Sequence, residues 1–167
     1  LLKYAKKISS FFDLKDTLAY LCDERRIMAY EYKGFARCID SYESYYKVSM
    51  EFLDMDISTQ VFKSTWPIFT NTNDTPPTKY LKNAQVKKSF VANGVIVDGD
   101  VEESILSRNV VIGKNAVVKN CIILNGSHVS AGAHLENVII DKDARIEKKK
   151  ELVSVGEPLY VKEGDVV

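Results

Sequence analysis

The sequence predicts a mainly β protein: a solenoid of stacked three-sided coils behind a short α/β segment. Three observations predict it. A 17-residue self-similarity aligns Val101–Val117, Val118–His134 and Leu135–Glu151 without gaps, and a shorter copy starts at Val86. Within each unit an aliphatic residue returns every five or six positions, through Val101, Leu106, Ile112, Val118, Ile123, Val129, Leu135, Ile140 and Ile146. Small residues recur at fixed offsets beside them, as in Ile112–Ala116 and Ile140–Ala144. Repeats of this length that cannot bury their apolar positions alone mark a solenoid.

The period decides the shape of the coil. A spacing near six fits neither an amphipathic helix nor a two-sided strand. It fits a coil of three short sides, each placing one aliphatic residue inward before the chain bends. The bends need small residues or residues that tolerate positive φ, which the sequence supplies at Gly94, Gly99, Gly113, Gly126, Gly132, Asn93, Asn109 and Asn125. Val and Ile dominate because β-branched side chains suit strand packing. Cys121 aligns with Ser104 and Val138 and reads as a packing residue. The pattern resembles the hexapeptide repeat of left-handed parallel β-helices. The left hand is implied by that resemblance, since the general chirality of parallel connections favours the right hand.

Composition narrows the function classes. The chain has 167 residues, 46% of them hydrophobic, and a formal net charge of zero. Its basic residues are scattered, and the run Lys148–Lys150 reads as a solvated coil end, so nucleic acid is not an expected partner. Cys22, Cys38 and Cys121 show neither metal-ligand spacing nor a disulfide framework, which fits a reducing cytoplasm. No signal peptide or membrane span is read. The chain starts at Leu1 inside a helical pattern and is read as a C-terminal fragment.

Three regions follow. Residues 1–63 read as the end of a larger α/β domain, 64–83 as a Pro- and Asn-rich linker, and 84–167 as the β-helix. In the first region, Asp13 is placed to cap a helix with Leu14, Leu18, Leu21 and Cys22 on its apolar face and Asp16 in its first turn. Ile27–Lys33 reads as a strand entering a turn at Gly34. Asp40 and Glu43 form a capping-box-like pair that opens a second helix through Tyr42, Tyr45, Tyr46, Ser49, Phe52 and Leu53. Its tyrosines read as core aromatics rather than as a stacking surface.

The order of these segments resembles bacterial glucose-1-phosphate adenylyltransferase, the ADP-glucose pyrophosphorylase of glycogen synthesis. Three stretches carry the resemblance: Tyr32–Tyr46 with the helix that follows, Trp66–Thr70 with Pro76–Tyr80, and Asn137–Ile146. The family's reaction joins ATP and glucose 1-phosphate into ADP-glucose and pyrophosphate, with Mg²⁺ implied. In the catalytic family one motif reads Gly-Tyr-Trp-x-Asp-Val-Gly-Thr, and its Asp helps hold that Mg²⁺. Here Gly34–Ser41 puts Cys38 at the Asp position, Asp40 at the Gly position and Ala36 at the Trp position. A neutral thiol is a poor ligand for a hard cation. The resemblance is therefore to the non-catalytic, regulatory D-type subunit, and no catalytic residue, metal ligand or cofactor is assigned to this fragment.

The implied partners are a catalytic subunit, a second copy of the chain, or both, with an anionic small-molecule effector. Lys162 falls near a position that binds such effectors in some members, whereas another effector lysine aligns with Glu136. A catalytic sugar-nucleotide pyrophosphorylase with a diverged motif is the alternative. Hexapeptide acyltransferases are the rival class, in which a His between coils activates an acceptor hydroxyl. His128 and His134 are the two His residues, matched by Val111 and Val117 one repeat earlier, and both read as surface or turn residues.

Overall fold

A computed structural model describes residues 14–70 and 74–167. It divides at Gly34 into two compact units, the second being Phe35–Val167. The first unit contains helix α1 (Leu14–Glu24), with Leu21 buried and Leu18 and Cys22 exposed. The expected cap at Asp13 lies outside the described residues. Ile27–Lys33 is not a strand, contrary to the sequence reading. A strand needs a neighbour to take its backbone N–H and C=O groups, and among the described residues none pairs with this segment.

The second unit opens with α2 (Tyr42–Glu51) and a short α3 (Met55–Val61), which the sequence reading missed. The expected Asp40–Glu43 box is also corrected, because the N-cap is Ser41. Its Oγ accepts from Ser44 N at 3.1 Å, and Ser44 Oγ accepts in return from Ser41 N at 2.9 Å. Ser44 Oγ accepts from Asp40 N as well, at 3.0 Å. Ser41 holds the extended backbone that a cap requires (φ −148°, ψ 168°). Phe52 caps the C-terminus instead of continuing the helix, and Asp54 caps α3.

The solenoid is made of fifteen short strands in three parallel five-stranded sheets. The first sheet holds β1 (Lys79–Tyr80), β4 (Ile96–Val97), β7 (Val111–Ile112), β10 (His128–Val129) and β13 (Arg145–Ile146). The second holds β2 (Gln85–Lys87), β5 (Asp100–Glu102), β8 (Val117–Lys119), β11 (His134–Glu136) and β14 (Glu151–Val153). The third holds β3 (Phe90–Val91), β6 (Ile105–Leu106), β9 (Ile122–Ile123), β12 (Val138–Ile140) and β15 (Leu159–Val161). β1 lies inside the stretch read as linker. Val101, Val118, Leu135 and Leu152 stack in register at the repeat length of 17, and Val86 precedes Val101 by a shorter coil of 15. Between Val138↔Leu159 and Leu135↔Leu152 the last coil carries a four-residue insertion, Ser154–Glu157. Val166 then bridges to Arg145 and closes the end of the first sheet.

Inside, aliphatic columns alternate with small ones. Val97, Ile112, Val129 and Ile146 form one column, and Leu106, Ile123, Ile140 and Val161 another, all buried. The small inward row of Ser104, Cys121 and Val138 is fully buried, as the repeat predicts. Each fully buried Ile or Leu contributes about 1.5–3 kcal/mol of transfer free energy, and the stacking repeats that gain along the axis.

The bends differ in detail from the sequence reading. Gly94, Gly126, Gly132 and Asn109 do have positive φ, whereas Asn93, Asn125, Gly99 and Gly113 do not. Gly113 is needed for space, since a Cβ there would lie 2.6 Å from Ala131 N. A third corner column, Lys88, Glu103, Asn120 and Asn137, is left-handed throughout, and two of its members carry no turn signal.

Candidate functional site between helix and solenoid

On the third sheet the outward residues are also apolar, as Phe90, Ile105, Ile122, Ile139 and Tyr160. In β9 both neighbours are buried although alternate side chains point to opposite faces. Ile123 faces the core, and Ile122 faces outward with 1% exposure, as does Ile139. Helix α2 covers that face. Tyr42 stacks on Tyr160 with ring centroids 4.5 Å apart. Tyr46 Oη donates to Asn120 O at 2.7 Å and reaches Asn137 Oδ1 at 3.4 Å. Tyr46 is thus a packing residue that also carries a polar anchor, whereas Tyr42 stays exposed and is not the core aromatic that the sequence suggested.

The turn between α2 and α3 leaves a groove of about 760 Å³ against the solenoid corner. Met50, Leu53, Met55, Phe90 and the Tyr46 ring make its apolar wall, and Lys88, Glu103, Asn120 and Asn137 its polar edge. Lys88 Nζ is paired with Glu103 at 3.1 Å. The segment before α2 folds against the helix end: Arg37 Nε bonds Glu51 Oε2 at 3.0 Å, and its guanidinium lies 4.6 Å from the Phe35 ring. Phe35, Phe52 and Phe62 pack in series, 5.4 and 5.8 Å apart.

Electrostatics follow this packing. Burial pushes the Tyr46 hydroxyl up to about 12, aided by Cys121 and Glu136, so it stays a hydrogen-bond donor. Tyr160 is pushed up to about 12 first by its bond to Asp141 Oδ2, 2.6 Å long. The same bond holds the Asp141 carboxyl below its ordinary range. Burial pushes the Cys121 thiol up to about 12, which leaves it unreactive.

The other candidate residues lie apart. Cys38 is exposed in the irregular segment ahead of the Ser41 cap. His128 lies in the first sheet between Val111 and Arg145, and His134 in the second between Val117 and Glu151. Both are strand residues rather than turn residues. Burial, then Arg145, lowers the pKa of His128. His134 Nδ1 is 3.9 Å from Glu151 Oε1, a carboxylate that stacks under it from the next coil and that the linear sequence did not suggest. Lys162 is exposed on the turn after β15, and Lys148–Lys150 are exposed on the last coil. Among the described residues no three His, Cys, Asp or Glu side chains gather to hold a metal ion. A neutral thiol such as that of Cys38 is a soft donor and a poor match for Mg²⁺, which takes hard oxygen ligands. Among the same residues no helix is long and apolar enough to cross a membrane.

Fold and repeat define the class: a left-handed parallel β-helix of hexapeptide repeats. Residues 76–158 match the GlmU-like, C-terminal hexapeptide family. The chain is 45% identical over 139 residues to glycogen biosynthesis protein GlgD of Bacillus subtilis (strain 168), covering 83% of this chain and 40% of that protein. It is 51% identical over 70 residues to GlgD of Geobacillus stearothermophilus, covering 42% and 20%. It is 32% identical over 116 residues to glucose-1-phosphate adenylyltransferase of Corynebacterium jeikeium (strain K411), covering 68% and 29%. Over most of its own length the chain is similar to GlgD and glucose-1-phosphate adenylyltransferase proteins. It spans about 40% of the length of its Bacillus subtilis relative.

The groove and the Tyr46 anchor were missed by sequence reasoning. Their signal was present in Asn120 and Asn137, which stand one repeat apart at a corner where the two preceding coils carry Lys88 and Glu103.

Proposed function

We propose that this chain is the C-terminal assembly and regulatory part of a non-catalytic glucose-1-phosphate adenylyltransferase subunit, acting in cytoplasmic glycogen biosynthesis. Cys38 carries the reading. It stands where the resembling catalytic motif has a metal-binding Asp, and its side chain is an exposed thiol rather than a hard oxygen donor. Asp40, the nearest carboxylate in sequence, precedes the Ser41 cap, where its backbone N–H is already bound to Ser44. The names of the relatives support the pathway.

In this reading ADP-glucose formation belongs to a catalytic partner, and this chain supplies surfaces. The α2 helix locked onto the third sheet transmits position between the segment bearing Cys38 and the solenoid. Lys162 is the residue assigned to contact with an anionic effector. The test is reconstitution: the full-length subunit is mixed with the catalytic subunit of the same organism, and rate and effector response are measured. An altered rate or effector midpoint that Lys162→Ala weakens supports the reading. A mixture that behaves as the catalytic subunit alone contradicts it.

A further inference from the structure

We propose that the outer face of the second sheet is a self-complementary docking surface for a second copy of this chain. Its outward residues form two columns. One stacks Lys87, Glu102, Lys119, Glu136 and Val153 in register, so charge alternates along the solenoid. The other stacks Gln85, Asp100, Val117, His134 and Glu151. Lys87, Asp100, Lys119 and Glu151 are exposed, and Glu102, Val117, His134 and Glu136 are partly so. Helix α2 lies on the third sheet and leaves this face open.

A run of alternating charge with an even number of members changes sign under a half-turn about its midpoint. A two-fold axis along the strands, between β5 and β8, therefore sets Lys87 against Glu136 of the second copy and Glu102 against Lys119 of the second copy. Symmetry repeats both pairs. The other column then meets as Gln85 with His134 and Asp100 with Val117, and no like charges face each other. Other two-fold arrangements with comparable overlap do worse. An axis through β8 sets Lys119 against itself and Glu102 against Glu136. An axis between β8 and β11 sets Asp100 against Glu151. An axis across the strands sets Asp100 against Glu102. Like-charge contacts of this kind are what excludes wrong registers.

The face is small. Four strands about 4.8 Å apart and three residues long cover roughly 20 by 10 Å, below the ~800 Å² per partner of a stable complex. The pairing is thus weak, salt-sensitive and orienting. It names a partner surface for the assembly role proposed above and rests on that reading for its purpose alone.

The test is sedimentation of the chain over a concentration series at low and high salt. The wild type is expected to self-associate more at low salt. K87E/K119E and E102K/E136K are each expected to lose at least ~10-fold in self-association while remaining folded by circular dichroism. Mixing the two is expected to restore association as a heterodimer. E102K/K119E keeps opposite charges across the axis but breaks the alternation within the chain, so it is expected to melt lower yet still pair. A monomeric wild type, variants that associate as the wild type does, or a mixture that stays monomeric overturns the proposal. None of these outcomes depends on enzymatic activity, so the regulatory reading stands or falls separately in the reconstitution assay.

Discussion

Single side chains divide sharply between anchors and bystanders. Tyr46 is an anchor, since its hydroxyl bonds Asn120 O from a partly buried position. Tyr46→Phe is expected to cost about 1 kcal/mol, the usual net worth of one hydrogen bond, read by urea unfolding. The hydroxyl also makes stability depend on alkaline pH. Its pKa rises from 10.0 to about 12 on folding, so the protonated form favours the native state. That contribution is complete below pH 10 and fades as pH rises towards 12. The fall in unfolding midpoint over this window is expected to shrink in Tyr46→Phe, and an unchanged fall would assign it to other groups. Thiol reactivity gives an independent check. Cys22 and Cys38 are exposed and Cys121 is buried. A disulfide reagent is expected to titrate the first two in native protein and Cys121 only after unfolding. The inward place of Cys121 was legible in the sequence because Ser104 and Val138 hold it in the flanking coils. Its companion across the wall, Tyr46, was legible only as apolar, because a hydroxyl's partner 74 positions away leaves no local trace.

Among elements, the strands of the third sheet are loaded on both faces. Ile139→Ala is expected to destabilise by about 2–4 kcal/mol, like a core truncation, although Ile139 points away from the core. A cost below 1 kcal/mol in thermal or urea unfolding would mean that α2 does not cover this face. The corners set a second test. Gly126 has φ +74°, and a Cβ there would meet the Asp143 side chain at 2.1 Å. Gly126→Ala is expected to cost about 1–2 kcal/mol, partly recovered in Gly126→Ala/Asp143→Gly, where the side-chain clash is removed. Recovery of nothing would place the whole cost in the backbone. The sequence announced the strands because inward positions repeat in register whatever the corners do. It announced the corners less well, because Gly99 and Gly113 answer to space rather than to φ, and because Lys88 and Glu103 adopt positive φ without being Gly or Asn. The Asp40–Glu43 box failed for a similar local reason: Ser41 and Ser44 satisfy the same donors at shorter reach.

For the whole molecule, the parallel solenoid makes one long core of nearest-neighbour contacts, and Phe35–Val167 holds together as one unit with α2 as a clasp. The fold was legible because repetition multiplies a weak signal. The strand expected at Ile27–Lys33 was not realised, because strand propensity without a pairing neighbour is not structure. The candidate site was legible in one respect, the aromatic face that α2 presents through Tyr46, and illegible in another, the groove that the α2–α3 turn opens against the corner column. The central claim is that a subunit built this way assembles and tunes but does not catalyse. Its most direct test is ADP-glucose formation from ATP and glucose 1-phosphate, in Mg²⁺, by the full-length subunit purified alone. No turnover above a no-enzyme control is the predicted result. Robust turnover by the subunit alone would contradict it, and would mean that the replacement at Cys38 leaves a working metal site.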